Sequence, residues 1–310
     1  MSKNSQRFTL SEQEAGSGLG LVLSAGGARG AYQLGCWKAF RELGLSFQAV
    51  AGSSIGALNG ALVCQNDWDK AYRLWIELTR TDLVKPDFRR IGKLAATAAA
   101  DLGLLLLPVP KFRLLRYAKY AASAVKFLSY QGTLGRLHRD GIFSMDRIRP
   151  LIEAYLDMDA VRASSCHVFV TVFGTPDLRR PLGRPLWFRL QECEDDEAWN
   201  VLGASMSVPF LFSSVEKDRD RLSDGGVRQW LPIRPLYDSG IRRLIAVSIK
   251  SSTRVKAEDF PGCDITLIRP AKPLGRFPAA TFNFKEDVVN RWIDQGYEDA
   301  MRAAWRLREL

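Results

Sequence analysis

Gly52-Ser53-Ser54-Ile55-Gly56 sets a serine between glycines two positions before it and two positions after it. Glycines at that spacing permit a sharp strand-to-helix turn, in which neighbouring backbone comes close and the serine is held strained with its Oγ exposed. A hydroxyl presented this way is a candidate nucleophile. A helix starting behind it directs its N-terminal amides and the positive end of its dipole at any oxyanion formed there. Ser53 points to the opposite side of such a turn and receives no catalytic role. The pattern is short, so its flanks decide its value: Phe47 to Ala51 is a β-rich run, and Ala57 to Cys64 continues without a breaker.

A serine hydroxyl needs a base, and the usual one is histidine. The chain holds only His138 and His167. His138 sits between Arg136 and Arg139, where positive charge opposes proton uptake, and His167 begins a strand-like run. In the order serine, acid, histidine, the histidine should follow a late strand, and none follows His167. The alternative is a carboxylate. Arg221-Leu222-Ser223-Asp224-Gly225-Gly226 ends a β-like run on an aspartate, and the two glycines after it let another backbone approach. An aspartate near its reference pKa of about 3.9 is a weak base for a hydroxyl. It serves if proton removal is concerted with attack and the pocket is dry enough to raise its basicity.

Gly26-Gly27-Ala28-Arg29-Gly30 is a second glycine turn, again between a strand-like run and a helical one. Amides at such a turn bind anions. A dinucleotide site requires an acid about twenty residues further on. That place holds Ala49, Val50 and Ala51, so the turn suits an oxyanion better, with Arg29 at its rim.

Two strand-turn-helix units in succession imply a parallel sheet covered by helices. The first runs from Leu19 to Leu43 and the second from Phe47 to Cys64. Asn66 is placed to cap a helix running to Arg80, and further strands are expected at His167 to Phe173, Pro185 to Leu190, Leu244 to Ile249 and Ile265 to Ile268. A helix closes the chain from Lys285. With 46% apolar and 25% charged residues in 310, the chain has the composition of a globular protein. Residues 1–18 read as a flexible arm without secretory features, and 19–310 as one catalytic unit. Five scattered cysteines without a Cys-x-x-Cys pair read as reduced core thiols, and no run is long enough to span a bilayer. These features point to a cytoplasmic protein and leave peripheral attachment at the inner face of the membrane open.

With these residues in place, the sequence resembles the patatin-like phospholipases. Leu23 to Ala31 is similar to the family's glycine-rich motif, Gly52 to Asn59 to its nucleophile elbow, and Ser223 to Gly226 to its Asp-Gly-Gly/Ala motif. Ala204 to Pro209 and Leu231-Pro232 resemble two further recurrent stretches. Ala25 departs from the pattern by standing at the first glycine of Gly-x-Gly-x-x-Gly. The resemblance implies a three-layer α/β/α fold with a mostly parallel central sheet, a Ser54–Asp224 dyad, an acyl-enzyme, and an oxyanion hole at Gly26 and Gly27. It also implies no metal or cofactor, and carboxylic esters of phospholipids or lysophospholipids as substrates. A neutral-lipid lipase, an acyltransferase, or an inactive lipid-binding scaffold would retain the same motifs.

The net charge of +10 is concentrated at about 85–139, where eleven Lys and Arg face two Asp. This segment interrupts the strand-helix alternation and reads as a basic helical insertion. Lys111 to Tyr130 can be drawn as a helix with Leu114, Tyr117, Ala121 and Leu128 on one side and Arg116, Lys119 and Lys126 on the other. Such a helix either packs on the core or meets an anionic membrane surface. No nucleic-acid-binding module is recognisable.

Overall fold

Alternating β-rich and helical runs must bury one face of each strand against helices, and the chain does so around one eight-stranded sheet. The computed structural model describes residues 18–81, 88–106, 148–175, 183–209, 211–217 and 220–307, with residues 137 and 143. The helix expected over Lys111 to Tyr130, His138 and nearly all of the expected N-terminal arm lie outside the described residues.

Strand β1 (Leu19–Leu23) leads through the first glycine turn into α1 (Ala31–Glu42), and β2 (Ala49–Ser53) leads into α2 (Ile55–Gln65). Helices α3 (Trp68–Arg80), α4 (Phe88–Leu106), α5 (Ile148–Tyr155) and α6 (Met158–Ala163) follow. Next come β3 (His167–Thr175), β4 (Arg184–Arg189) and α7 (Asp195–Met206). The remainder holds β5 (Val215–Lys217), β6 (Asp220–Asp224), α8 (Arg234–Asp238), β7 (Arg243–Val247), β8 (Asp264–Ile268) and α9 (Glu286–Arg302). The four later strands expected from sequence all form, each displaced by no more than two residues at either end.

The centre of the sheet is parallel, in the order β3-β2-β1-β7-β8. Beyond it the sheet turns antiparallel, because β4 and β6 both pair β3 and β5 pairs β6. Strand alternation divides the core. Leu21, Leu23, Val50, Val168, Val170, Ile245 and Val247 face the side packed by α1, α2, α3, α7 and α9. Val22, Ala49, Ala51, Phe169, Leu244 and Ala246 face the other side, which is closed by Leu236 of α8 and by loop residues such as Val255 and Phe260. The three layers are therefore unequal, one of them thick with helices and the other thin.

Two local expectations are corrected. Asn66 does not cap α3; it closes α2 in the left-handed region at φ 60°, which asparagine tolerates, and Asp67 caps α3 by accepting the Lys70 N–H at 2.9 Å. The cysteines are not all reduced. Cys64 at the end of α2 is disulfide-bonded to Cys166 just before β3, with Cα atoms 5.3 Å apart. The two are 102 residues apart in sequence, so only the return of α2 to the starting edge of β3 brings them together. Cys36 and Cys193 are buried thiols and Cys263 a half-buried one.

Candidate active site

Strand register brings the nucleophile candidate and the carboxylate together. Thr171 of β3 pairs with both Ser53 of β2 and Trp187 of β4, so β2 and β4 lie on opposite edges of β3. Val172, the next residue, pairs with both Leu186 of β4 and Asp224 of β6, so β6 lies on the same edge as β2. The two strands meet end to end there. Ser54 follows directly on β2, and Asp224 is the last residue of β6.

Ser54 sits at φ 54°, ψ −128°, a conformation that L-residues rarely adopt. The two glycines of its motif make that turn possible. A Cβ at Gly52 would overlap the Gly56 carbonyl, and one at Gly56 would overlap the carbonyl groups of Leu23 and Ser24 at the end of β1. The strained residue is held from outside its own turn. Ser205 of α7 accepts the Ser54 N–H at 2.9 Å through its Oγ and donates to the Thr171 carbonyl at 2.7 Å, tying the elbow to β3. Asn59, one turn into α2, donates to Gly30 O and to Gln33 Oε1, while Gln33 donates to Ser24 O at 2.7 Å. The two glycine turns are thereby locked to each other. Sequence reading assigned no role to Ser205, Asn59 or Gln33, although Ser205 and Asn59 fall inside quoted motifs. Their function lies in long-range pairing that spacing does not show.

Asp224 is 5% exposed. Its backbone N–H is bound by Ser207 O, and its Oδ1 accepts the Gly226 N–H at 2.7 Å. Burial pushes its carboxyl up to about 6, while hydrogen bonds from Gly226 and from the Ser54 side chain partly offset that rise. Ser53, in contrast, is fully buried, and its Oγ has no hydrogen-bond partner among the described residues. His167 lies at the opposite end of β3, where its ring is bound by Arg189.

In the other turn Gly27 is left-handed at φ 58° and lies against Thr281. Neither the Gly26 nor the Gly27 N–H donates to an acceptor among the described residues. Arg29 is buried rather than at the rim. Its guanidinium donates to the Gly26 carbonyl at 3.4 Å and to Thr281 Oγ1 at 2.9 Å, so it fixes the turn from within. Ala28 and Gly30 are buried under it. Ala25, the departure from the family pattern, packs its methyl where Gly226 has no side chain; a Cβ at Gly226 would lie only 2.6 Å from it. The alanine fits because Gly225-Gly226 follows Asp224.

Ser54, Asp224, Gly26, Gly27, Arg29 and Gly226 all line one cavity of about 650 Å³. Its other walls are largely apolar, with Leu58, Leu78, Ile152, Met206, Phe212 and Phe284 among them. The arrangement offers a strained hydroxyl, a buried carboxylate of raised basicity and, on the lining of the same apolar cleft, two glycines whose amides have no acceptor among the described residues.

Comparison with known proteins places the chain in a family. A profile described as patatin-like phospholipase matches residues 21–237. The lysophospholipase NTE1 of Cryptococcus neoformans is 25% identical over 245 residues, covering 79% of this chain and 12% of that protein. The neuropathy target esterase sws of Drosophila persimilis is 36% identical over 115 residues, covering 32% of this chain and 8% of that protein. The chain thus spans about a tenth of the length of these relatives. Among solved structures, human GIVD cytosolic phospholipase A2 superposes with a TM-score of 0.51 at 11% identity, covering 97% of this chain and 60% of that one, a likeness of fold. With the profile running from the first strand through the elbow and the Asp-Gly-Gly turn, the chain belongs to the patatin-like phospholipase family.

Proposed function

We propose that this protein hydrolyses fatty acyl carboxylic esters of phospholipids or lysophospholipids. The observation that carries the reading is the meeting of Ser54 and Asp224 in a cavity whose walls are mostly apolar. The relatives' names, a lysophospholipase and an esterase, point to the same reaction class.

The ester carbonyl enters beside Gly26 and Gly27 with its acyl chain along the apolar wall. Ser54 Oγ attacks as Asp224 takes its proton, and the two glycine amides receive the oxyanion. Collapse expels the alcohol, which regains the proton from Asp224, and leaves an acyl-serine. Water, deprotonated by the same carboxylate, then attacks the acyl-serine, and the fatty acid departs as Ser54 Oγ takes back the proton from Asp224. A basicity raised by burial matters at both steps, because a carboxylate of ordinary pKa transfers the proton less favourably.

Incubation with a total lipid extract and mass spectrometry of the products tests the reading. Free fatty acid with a matching lysolipid or glycerophosphodiester is expected. Fatty acid released only from acylglycerols would favour a neutral-lipid lipase, acyl transfer to another lipid an acyltransferase, and no turnover with retained lipid binding a scaffold.

The basic segment at about 85–139 is proposed to hold the protein on an anionic membrane surface. Among the described residues no helix is long and apolar enough to cross a membrane. Helix α4, at the start of that segment, is exposed at Arg89, Lys93, Ala95 and Ala96. Each basic side chain near such a surface contributes about 1 kcal/mol, screened by salt. Vesicle co-sedimentation is therefore expected to rise with the fraction of anionic lipid and to fall as salt increases. Binding indifferent to both would remove this surface from the proposal.

A further inference from the structure

The cavity is apolar along α2, α5 and α7, but its opposite side is cationic. There the chain leaves β7 and passes through Lys250, Ser251 and Ser252, all of which line the cavity with Arg29 and Trp230. Lys250 Nζ stands over the Trp230 indole, 4.0 Å from the ring centroid. Trp230 is itself fixed to the glycine turn, since its carbonyl accepts the Ala25 N–H at 2.9 Å. The ammonium is thus held on the wall of the same cavity by a residue whose backbone is tied to Ala25, one residue before Gly26.

This positive charge is not neutralised. Partial desolvation, and after it the nearby Arg29 guanidinium, holds the Lys250 ammonium below its ordinary pKa. Arg29 has its own work in the turn, bound to Gly26 O and Thr281 Oγ1. Neither cation forms an ion pair with a carboxylate among the described residues. The one carboxylate among the described lining residues is Asp224, already engaged by Gly226 and Ser54. Arg29 and the solvent-exposed Lys250, with Arg276 on the same lining, thus present positive charge to the cavity that an anionic ligand would offset.

We propose that Lys250, seated on Trp230, is the cation of an anion subsite that receives a phosphate while the ester lies at Ser54. The inference rests on the reading of Ser54 as the nucleophile and adds a chemical preference to it: phosphate-bearing acyl esters over neutral ones. It also assigns Lys250 a specificity role that none of the sequence motifs contains. The phosphate can belong to a lipid headgroup or be free inorganic phosphate, which would then compete for the same place.

The test uses two esters that are soluble as monomers and differ only in the phosphate, 1-hexanoylglycerol 3-phosphate and 1-hexanoylglycerol, at constant ionic strength. A charge-assisted contact corresponds to roughly a ten- to hundred-fold preference in kcat/KM for the phosphate ester. Lys250→Ala is expected to collapse the ratio of the two kcat/KM values towards one, and Lys250→Glu to invert it. Lys250→Arg should keep most of it. The loss should fall mainly on KM, since the contact is made before and during reaction alike. Inorganic phosphate should inhibit the wild type competitively and lose that effect in Lys250→Ala, whereas a headgroup-only site would leave free phosphate without effect and still change the ester ratio. A ratio identical in wild type and Lys250→Ala overturns the proposal. If neither ester is hydrolysed, the reading of Ser54 fails instead, and calorimetric binding of the phosphate ester with and without Lys250 then decides the subsite.

Discussion

Ser54→Ala is expected to lower turnover of a soluble nitrophenyl ester by about ten-thousand-fold while leaving the fold intact, and to abolish covalent labelling by a fluorophosphonate probe. Neither serine packed at the elbow is placed to substitute. Ser53 is fully buried and is not among the described residues lining the cavity, and Ser205 is committed to the Ser54 N–H and the Thr171 carbonyl. The same position carries a stability prediction with a different sign. A non-glycine residue held at φ 54° costs on the order of 1–3 kcal/mol. Ser54→Gly removes that cost as well as the hydroxyl, so it should be inactive and more resistant to denaturant than Ser54→Ala. Strain is then retained at this residue because the presented Oγ requires it. Near wild-type turnover in either folded variant would end the assignment of Ser54, and equal stability of the two would show that the turn is not strained.

The serine was legible because its requirement is local. Gly52 and Gly56 are needed within one turn, so five consecutive residues carry the signal, and β2 and α2 form on either side of it. Asp224 was legible for a different reason, the scarcity of histidine combined with the glycines that follow it. The agreement of Ser54 and Asp224 in space was not derivable from spacing. It depends on β6 running antiparallel along the same edge of β3 that β2 occupies, through pairings such as Ser53 with Thr171 and Val172 with Asp224 that are far apart in the chain. The supports of the site stayed hidden for the same reason, since a serine at 205 holds a backbone amide at 54 only after α7 has packed beside β3.

Arg29 shows the opposite failure. Its charge made an exposed position seem natural, yet the turn needs donors inside it, and the guanidinium supplies them to Gly26 and Thr281. Lys250, proposed as an anion-binding cation, left no trace in any motif because such a role would come from what surrounds it: a ring beneath, a second cation nearby and no ion-pairing acid among the described residues. Sheet-level pattern was therefore readable from residue types, whereas site-level charge balance required the packed structure.

Asp224→Asn should remove most turnover and at the same time stabilise the protein at neutral pH. The carboxyl titrates at about 6 in the folded chain against an ordinary value of 3.8, because burial disfavours its charged form. As the base it must be ionised, so wild-type kcat/KM is expected to rise with pH through about 6 and then level, with no second rise from a histidine. The stability consequence runs the other way. Below pH ~4 the group is protonated in both folded and unfolded chains and costs nothing. Between about 4 and about 6 the unfolded chain releases its proton while the folded chain keeps it, so stability falls as pH rises. Above that window the folded protein carries a buried charge at a cost of about 3 kcal/mol, the equivalent of two pKa units. Asparagine keeps an oxygen for the Gly226 N–H and removes the charge. Its Tm should exceed that of the wild type at pH 8 and converge with it near pH 4, where the wild-type carboxyl is neutral. A gain in Tm that did not depend on pH would mean that the amide simply packs better. A pH–rate profile flat across 5 to 7 would mean that Asp224 is not the group whose proton limits the reaction.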